Sequence, residues 1–257
     1  MDKSRFLKNT RGKKKMKALI LAAGLGTRLR PLTDTVPKAL VPISGKPLLA
    51  YHLDSLKKHG VDEVIINTHY LADKISEFVD DYSKENCGIN ITTVFEPTLL
   101  GSAGTLLCNR DFFRNERSFF VVYGDNLTNI NYSALLNYHE KNNGIVTISA
   151  YYEDDPSSKG IIVFDEIQKI LRFIEKPAKK DIISNYANAG VYAVNERIFN
   201  LLKDMRKTPL DFGHDVFPSL LSKNEPMYAY KMSEFLLDVG TAENYERAQK
   251  EIKKIIF

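Results

Sequence analysis

The sequence has only two cysteines, Cys87 and Cys108, with no CxxC pair and no Cys/His cluster. A disulfide framework and a zinc site are therefore not expected, and a reducing cytoplasm is the expected setting. No apolar run approaches the ~20 residues that cross a bilayer, so no membrane span is expected. The N-terminus lacks an apolar h-region, which argues against a secretory signal. The P-loop pattern GxxxxGK[ST] is absent. There is no tryptophan, and the five histidines (52, 59, 69, 139, 214) are scattered, mostly over expected helices, and read as structural.

What remains is ordinary for a globular chain: 257 residues, 44% apolar and 26% charged. The net charge of +4 is a local effect. Residues 1–16 hold seven Lys/Arg against one acid, so they supply +6 and leave residues 17–257 at −2. The tail could bind an anionic surface or RNA. The plainer reading, which we adopt, is a disordered extension over residues 1–15 ahead of a single domain, 16–257, and whether Met16 is the natural start is left open.

The densest stretch is Lys17 to Lys46, KALILAAGLGTRLRPLTDTVPKALVPISGK. Ala18 to Ala22 read as a buried strand, followed by the turn Gly24-Leu25-Gly26-Thr27. Arg28, Arg30 and Lys38 follow within fourteen residues of Gly24. A glycine turn lets backbone N–H groups face an anion, and nearby cations add charge. It is not a dinucleotide fingerprint. Leu29 stands at the third glycine position, Pro31 keeps a helix from starting there, and no acid follows at the expected distance.

Beyond this loop, strand and helix alternate. Helices are expected over 47–58 and 71–82, and strands over 61–68, 89–95 and 118–123. This predicts an α/β chain with a Rossmann-like mixed, mostly parallel sheet and helices on both faces. A short helix over roughly 103–112 and a helix over 132–142 follow. From Gly144 strands dominate, at 145–152, 160–164, 169–174, 186–194, 227–231 and 234–237. Helices are expected over 196–203 and 211–221, the second interrupted near Pro218. Thr241 caps a last helix through Lys254. Ligands of such sheets sit at the carboxyl ends of the strands. Asp125 and Asp238 each follow a buried strand there. As hard oxygen ligands without His or Cys they suit Mg²⁺, although each one alone reads equally as a turn cap.

Leu21-Ala22-Ala23-Gly24-Leu25-Gly26-Thr27-Arg28-Leu29-Arg30-Pro31-Leu32-Thr33, with Pro37-Lys38, resembles the signature of the sugar-1-phosphate nucleotidyltransferases. The resemblance continues at Gly124-Asp125, Phe173 to Pro177, Asn188-Ala189-Gly190 and Leu237 to Thr241, and covers essentially residues 16–250. It implies the nucleotide-diphospho-sugar transferase fold, with an NTP and a sugar 1-phosphate as substrates and Mg²⁺ as cofactor. Arg28, Lys38, Asp125 and Asp238 would be catalytic, with Asp125 and Asp238 holding the metal. Leu21, Ala23, Gly24, Gly26, Thr27, Gly101 and Gly104 would bind the nucleotide. Glu175, Lys176 and Asn188 would bind the sugar phosphate.

Leu100 to Gly104 (LGSAG) and Asp215-Val216-Phe217-Pro218 are similar to the mannose-1-phosphate and heptose-phosphate guanylyltransferases, so GTP and a manno-configured sugar lead. Leu236 departs from that group, which commonly has Trp there. No left-handed β-helix follows the catalytic signature, which argues against β-helix assembly; a homo-oligomer is left open. A uridylyl-, thymidylyl- or cytidylyltransferase is the same-class alternative. A nucleotide-sugar-sensing subunit without activity is the alternative of another class, and retention of the metal pair argues against it.

Overall fold

The computed structural model describes residues 16–255. The basic extension expected over residues 1–15 lies outside the described residues.

Strand β1 (Lys17–Leu21) leads into a long loop of short 3₁₀ turns and a ribbon, β2 (Pro42–Ile43) and β3 (Lys46–Pro47), before helix α1 (Leu48–Lys58). Then come β4 (Glu63–Thr68), α2 (Ala72–Glu85), β5 (Asn90–Phe95), α3 (Ser102–Cys108), β6 (Ser118–Tyr123), β7 (Asn126–Thr128) and α4 (Tyr132–Asn142). The second half holds β8 (Val146–Tyr152), β9 (Gly160–Phe164), β10 (Ile170–Glu175), β11 (Tyr186–Asn195), α5 (Ile198–Leu202) and α6 (Phe217–Ser222). It ends with β12 (Met227–Lys231), β13 (Leu236–Asp238) and α7 (Ala242–Glu251).

A nine-stranded sheet forms the centre, in the order β10-β9-β11-β6-β1-β4-β5, with β8 on β11 and β12 on β8. Only β10 and β11 run against the other seven strands, so the sheet is mixed and mostly parallel. Its middle reads as apolar runs because both faces are covered. Ala18 and Ile20 of β1 face α1, α2 and α4, while Leu19 faces α3, α5 and α6. All three are fully buried, and burying each large one stabilises the fold by about 2 kcal/mol.

Where elements differ from expectation, local chemistry explains it. The stretch from Asp211 is a π turn (Phe212–Val216) before α6, because the Asp211 side chain accepts from the Gly213 and His214 N–H groups. The α3 helix stops at Cys108 and continues as a 3₁₀ turn, Arg110–Phe113. The α5 helix is shorter than expected, and α7 begins at the predicted Thr241 cap. Strand β7 was not expected. It pairs antiparallel with β13, and a third apolar cluster seats that pair on α1 and α7 through Leu48, Tyr51, Leu127, Leu237, Val239 and Ala248. Among the described residues no helix is long and apolar enough to cross a membrane.

Two buried histidines make the fold acid-sensitive. Burial lowers His52 and His139 to about 4. Between that value and the free value near 6.5, the unfolded chain binds protons that the folded chain does not, so stability falls as pH falls. Going from pH 7 to pH 5 should cost about 2 kcal/mol per histidine. Urea unfolding at both pH values checks this. The drop should be roughly halved in His139→Gln; an undiminished drop would assign it to other groups.

Candidate active site

The loop after β1 is folded by its own polar contacts. Gly26 adopts φ +65°, and its carbonyl accepts from the Leu29 N–H and the Thr33 hydroxyl. A Cβ at position 26 would lie 3.0 Å from the Thr33 methyl. The fold of this loop delivers Lys38, mostly buried in the turn Lys38–Leu40, to the carboxyl edge of the sheet.

Asp125 leaves β6 at that edge, where the Gly124 N–H donates to the Leu21 carbonyl across the strand ends. Pairing of β7 with β13 sets Asp238 opposite Asn126, and the Val239 N–H donates to the Asp125 carbonyl. Two carboxylates from residues 113 positions apart thus become neighbours. Lys38 Nζ sits between them, 2.6 Å from Asp125 Oδ2 and 3.7 Å from Asp238 Oδ1. Lys159 Nζ lies 2.6 Å from Asp238 Oδ2. Burial alone would raise the Asp238 pKa, but Lys159, Lys38 and Arg28 together hold it below the usual carboxylate value. Asp238 Oδ1 is buried without a hydrogen-bond partner.

That orphaned oxygen, and the ammonium lodged between two carboxylates, fit a divalent cation. Among the described residues there is no group of three or more His, Cys, Asp or Glu that could hold a metal. An ion here would take Asp125, Asp238, water and phosphate oxygens, which is the usual habit of Mg²⁺.

Two cavities meet at Asp125, and Tyr123 and Asp211 also line both. The smaller, about 260 Å³, is lined by Leu21, Ala23, Gly24, Lys38, Asn67 and Gly101, among others. The larger, about 690 Å³, holds Arg28, Lys159, Glu175, Lys176, Asn188 and Asp238. Gly26, Thr27 and Gly104 lie outside both linings. Gly26 shapes the loop instead, and the Gly104 N–H donates to the Leu210 carbonyl.

Glu175 points between two glycines. A Cβ at 160 or 213 would lie 2.7 or 2.6 Å from its Oε2. Burial, then the nearby Asp211 carboxylate, raise its pKa, against His214, Lys176 and Lys159. Asn188 donates to the Tyr192 hydroxyl at 2.8 Å and accepts from the Gly190 N–H. At the smaller cavity, buried Glu96 accepts from Asn67, the Thr105 hydroxyl and the Leu100 N–H. Ser102 donates to Asp211 at 2.7 Å, tying this loop to the larger cavity.

Lys159, Asp211 and the pair Asn67–Glu96 escaped the reading of the sequence. Lys159 precedes Gly160 at a strand start, a weak local cue. Asp211 could be read as a helix cap. Its role at the site follows only from packing of Leu210 on the 100–104 loop, through the Leu210 N–H to the Leu100 carbonyl.

The family model described as nucleotidyl transferase matches residues 17–255. The chain belongs to the nucleotidyl transferase family. It is 35% identical over 232 residues to a protein named mannose-1-phosphate guanyltransferase from Yarrowia lipolytica, covering 90% of this chain and 62% of that one. It is 33% identical over 258 residues to the UTP–glucose-1-phosphate uridylyltransferase of Synechocystis, covering 93% and 65%. This chain therefore spans less than two thirds of the length of these relatives. Among solved structures it resembles a Bacillus anthracis protein provisionally assigned as a glucose-1-phosphate thymidylyltransferase, with TM-score 0.84, 25% identity, and 94% and 97% of the two chains covered. HddC from Yersinia pseudotuberculosis, complexed with GMP-PN, gives TM-score 0.75 at 25% identity, covering 92% and 99%.

Proposed function

We propose that residues 16–257 form one catalytic domain, a divalent-metal-dependent sugar-1-phosphate nucleotidyltransferase that uses GTP and mannose 1-phosphate or a heptose 1-phosphate. The observation that carries this reading is the Asp125–Asp238 pair, bridged by Lys38 where the two cavities meet. The family match supports the reaction class. The LGSAG loop, the Yarrowia lipolytica relative and the GMP-PN bound to HddC support guanine. The Synechocystis relative supports a uridylyltransferase as the second reading.

In the reaction an oxygen of the sugar phosphate attacks the α-phosphorus of the NTP. A new P–O bond forms, the bond to the β-phosphate oxygen breaks, and pyrophosphate leaves with the electron pair. A phosphate monoester has its second pKa near 6, so the nucleophile is already a dianion and no general base is required. The work is to bring two polyanions together and to stabilise charge on the transferring group. Gly24 and its neighbours offer the nucleotide close approach at the sheet edge. Lys38 and Arg28 would hold triphosphate oxygens around the α-phosphorus. Glu175 and Asn188 would take sugar hydroxyls, and Lys176 the sugar phosphate. Mg²⁺, held by Asp125 and Asp238, would neutralise phosphate charge.

A pyrophosphate-release screen crossing the common NTPs with a panel of sugar 1-phosphates tests this. Turnover should be highest with GTP and a manno-configured sugar phosphate, and EDTA should abolish it. A preference for UTP would select the second reading. Silence across the panel would remove the proposal and favour a sensing role.

A further inference from the structure

Lys159 makes two contacts that bear on the site. Its carbonyl accepts from the Lys176 N–H at 3.0 Å. Lys176 is itself held at φ +46°, so the two lysines are fixed side by side on the wall of the larger cavity. Its side chain pairs with Asp238 Oδ2 at 2.6 Å. Both partners are shielded, with side-chain exposures of 22% and 20%, so this is not an idle surface bridge.

We propose that Lys159 is a displaceable counter-cation: a divalent metal takes Asp238 from it, and the freed ammonium then binds the phosphate of the sugar 1-phosphate. This rests on the nucleotidyltransferase reading for its second half only. The first half follows from charge. Asp125 and Asp238 supply two negative charges, and Lys38 and Lys159 already neutralise them. A divalent ion on the same carboxylates would stand beside two ammonium groups and repel both. Lys38, with a side chain only 10% exposed, faces the smaller cavity, whereas Lys159 borders the larger one, which leaves it room to turn. Lys176 and Arg28 line that cavity too, as do the carboxylates of Glu175 and Asp211, and a phosphate placed between the two lysines would restore the charge lost at Asp238.

The test uses the full chain and Mn²⁺ as the probe, titrated without substrates and followed by electron paramagnetic resonance. Lys159→Met keeps the stem and removes the charge; circular dichroism and a thermal melt check that it folds. Mn²⁺ affinity should rise about fivefold or more, as expected when a competing cation is removed. In steady-state kinetics the KM for the sugar 1-phosphate should rise roughly tenfold or more, well beyond any fall in kcat, with the KM for the NTP unmoved. Lys159→Arg should restore most of the sugar-phosphate KM. Unchanged or weaker Mn²⁺ binding in Lys159→Met would overturn the proposal, as would an equal rise in both KM values. If no sugar phosphate is turned over by the native chain, the nucleotidyltransferase reading fails. The Mn²⁺ titration still decides whether Lys159 competes for Asp238.

Discussion

Asp238→Asn should lower pyrophosphate release by about 10³-fold or more while leaving the chain folded. The substitution keeps the shape and deletes a charge that Lys159, Lys38 and Arg28 converge on. Without it Lys159, Lys38 and Arg28 lose the carboxylate they share, and on the proposed reading a divalent ion would lose one of its two carboxylates. Metal ions stabilise phosphoryl transition states by several kcal/mol, and each 1.36 kcal/mol is tenfold in rate. The defect should be constant between pH 6 and pH 8. Asp238 is held below the usual carboxylate value, so it is ionised throughout that range. Its contribution fades only as pH falls through that lowered value. Asp125→Asn should lower pyrophosphate release by a similar factor. Near-normal turnover in either variant would remove the metal assignment.

The largest expected effect on stability is at Gly101. Its backbone has φ +80° and ψ 161°, a region open essentially to glycine alone. A Cβ there would lie 2.4 Å from the Leu210 carbonyl oxygen, which is also the acceptor for the Ala103 and Gly104 N–H groups. Gly101→Ala must therefore strain the backbone and part a bonded loop pair. A loss of about 3 kcal/mol or more is expected in urea unfolding. Gly24→Ala is the comparison. Nothing lies within 4 Å of its would-be Cβ, so a change within about 1 kcal/mol is expected. Equal effects at the two positions would contradict the packing argument.

The sheet was legible where burial writes a pattern into the chain. The runs at β1 and β6 and the apolar stripes of α1 and α2 are local signals, and they match. Strand β7 was not legible. Asn126–Thr128 carries no period of its own, and its partner β13 lies more than a hundred residues later. Yet that pair is what carries Asp238 to Asp125, so the acids could be suspected singly while their meeting could not be derived. Lys159 failed to stand out for the same reason: its importance lies in the partner at Asp238. The resemblance implies that Gly101 binds the nucleotide. It does line the smaller cavity, but its missing side chain is required by Leu210, a contact across 109 positions.

Direct transfer between two phosphorylated substrates across the Asp125–Asp238 pair is tested most directly by an oxygen label. Mannose 1-phosphate carrying oxygen-18 at its non-bridging phosphate oxygens would be turned over with unlabelled GTP and Mg²⁺, and the products read by mass spectrometry and phosphorus NMR. Direct attack predicts that every labelled oxygen stays with the nucleotide sugar, one of them in the new phosphate bridge, and that pyrophosphate is unlabelled. Label in pyrophosphate, or GMP released without a labelled nucleotide sugar, would contradict the account.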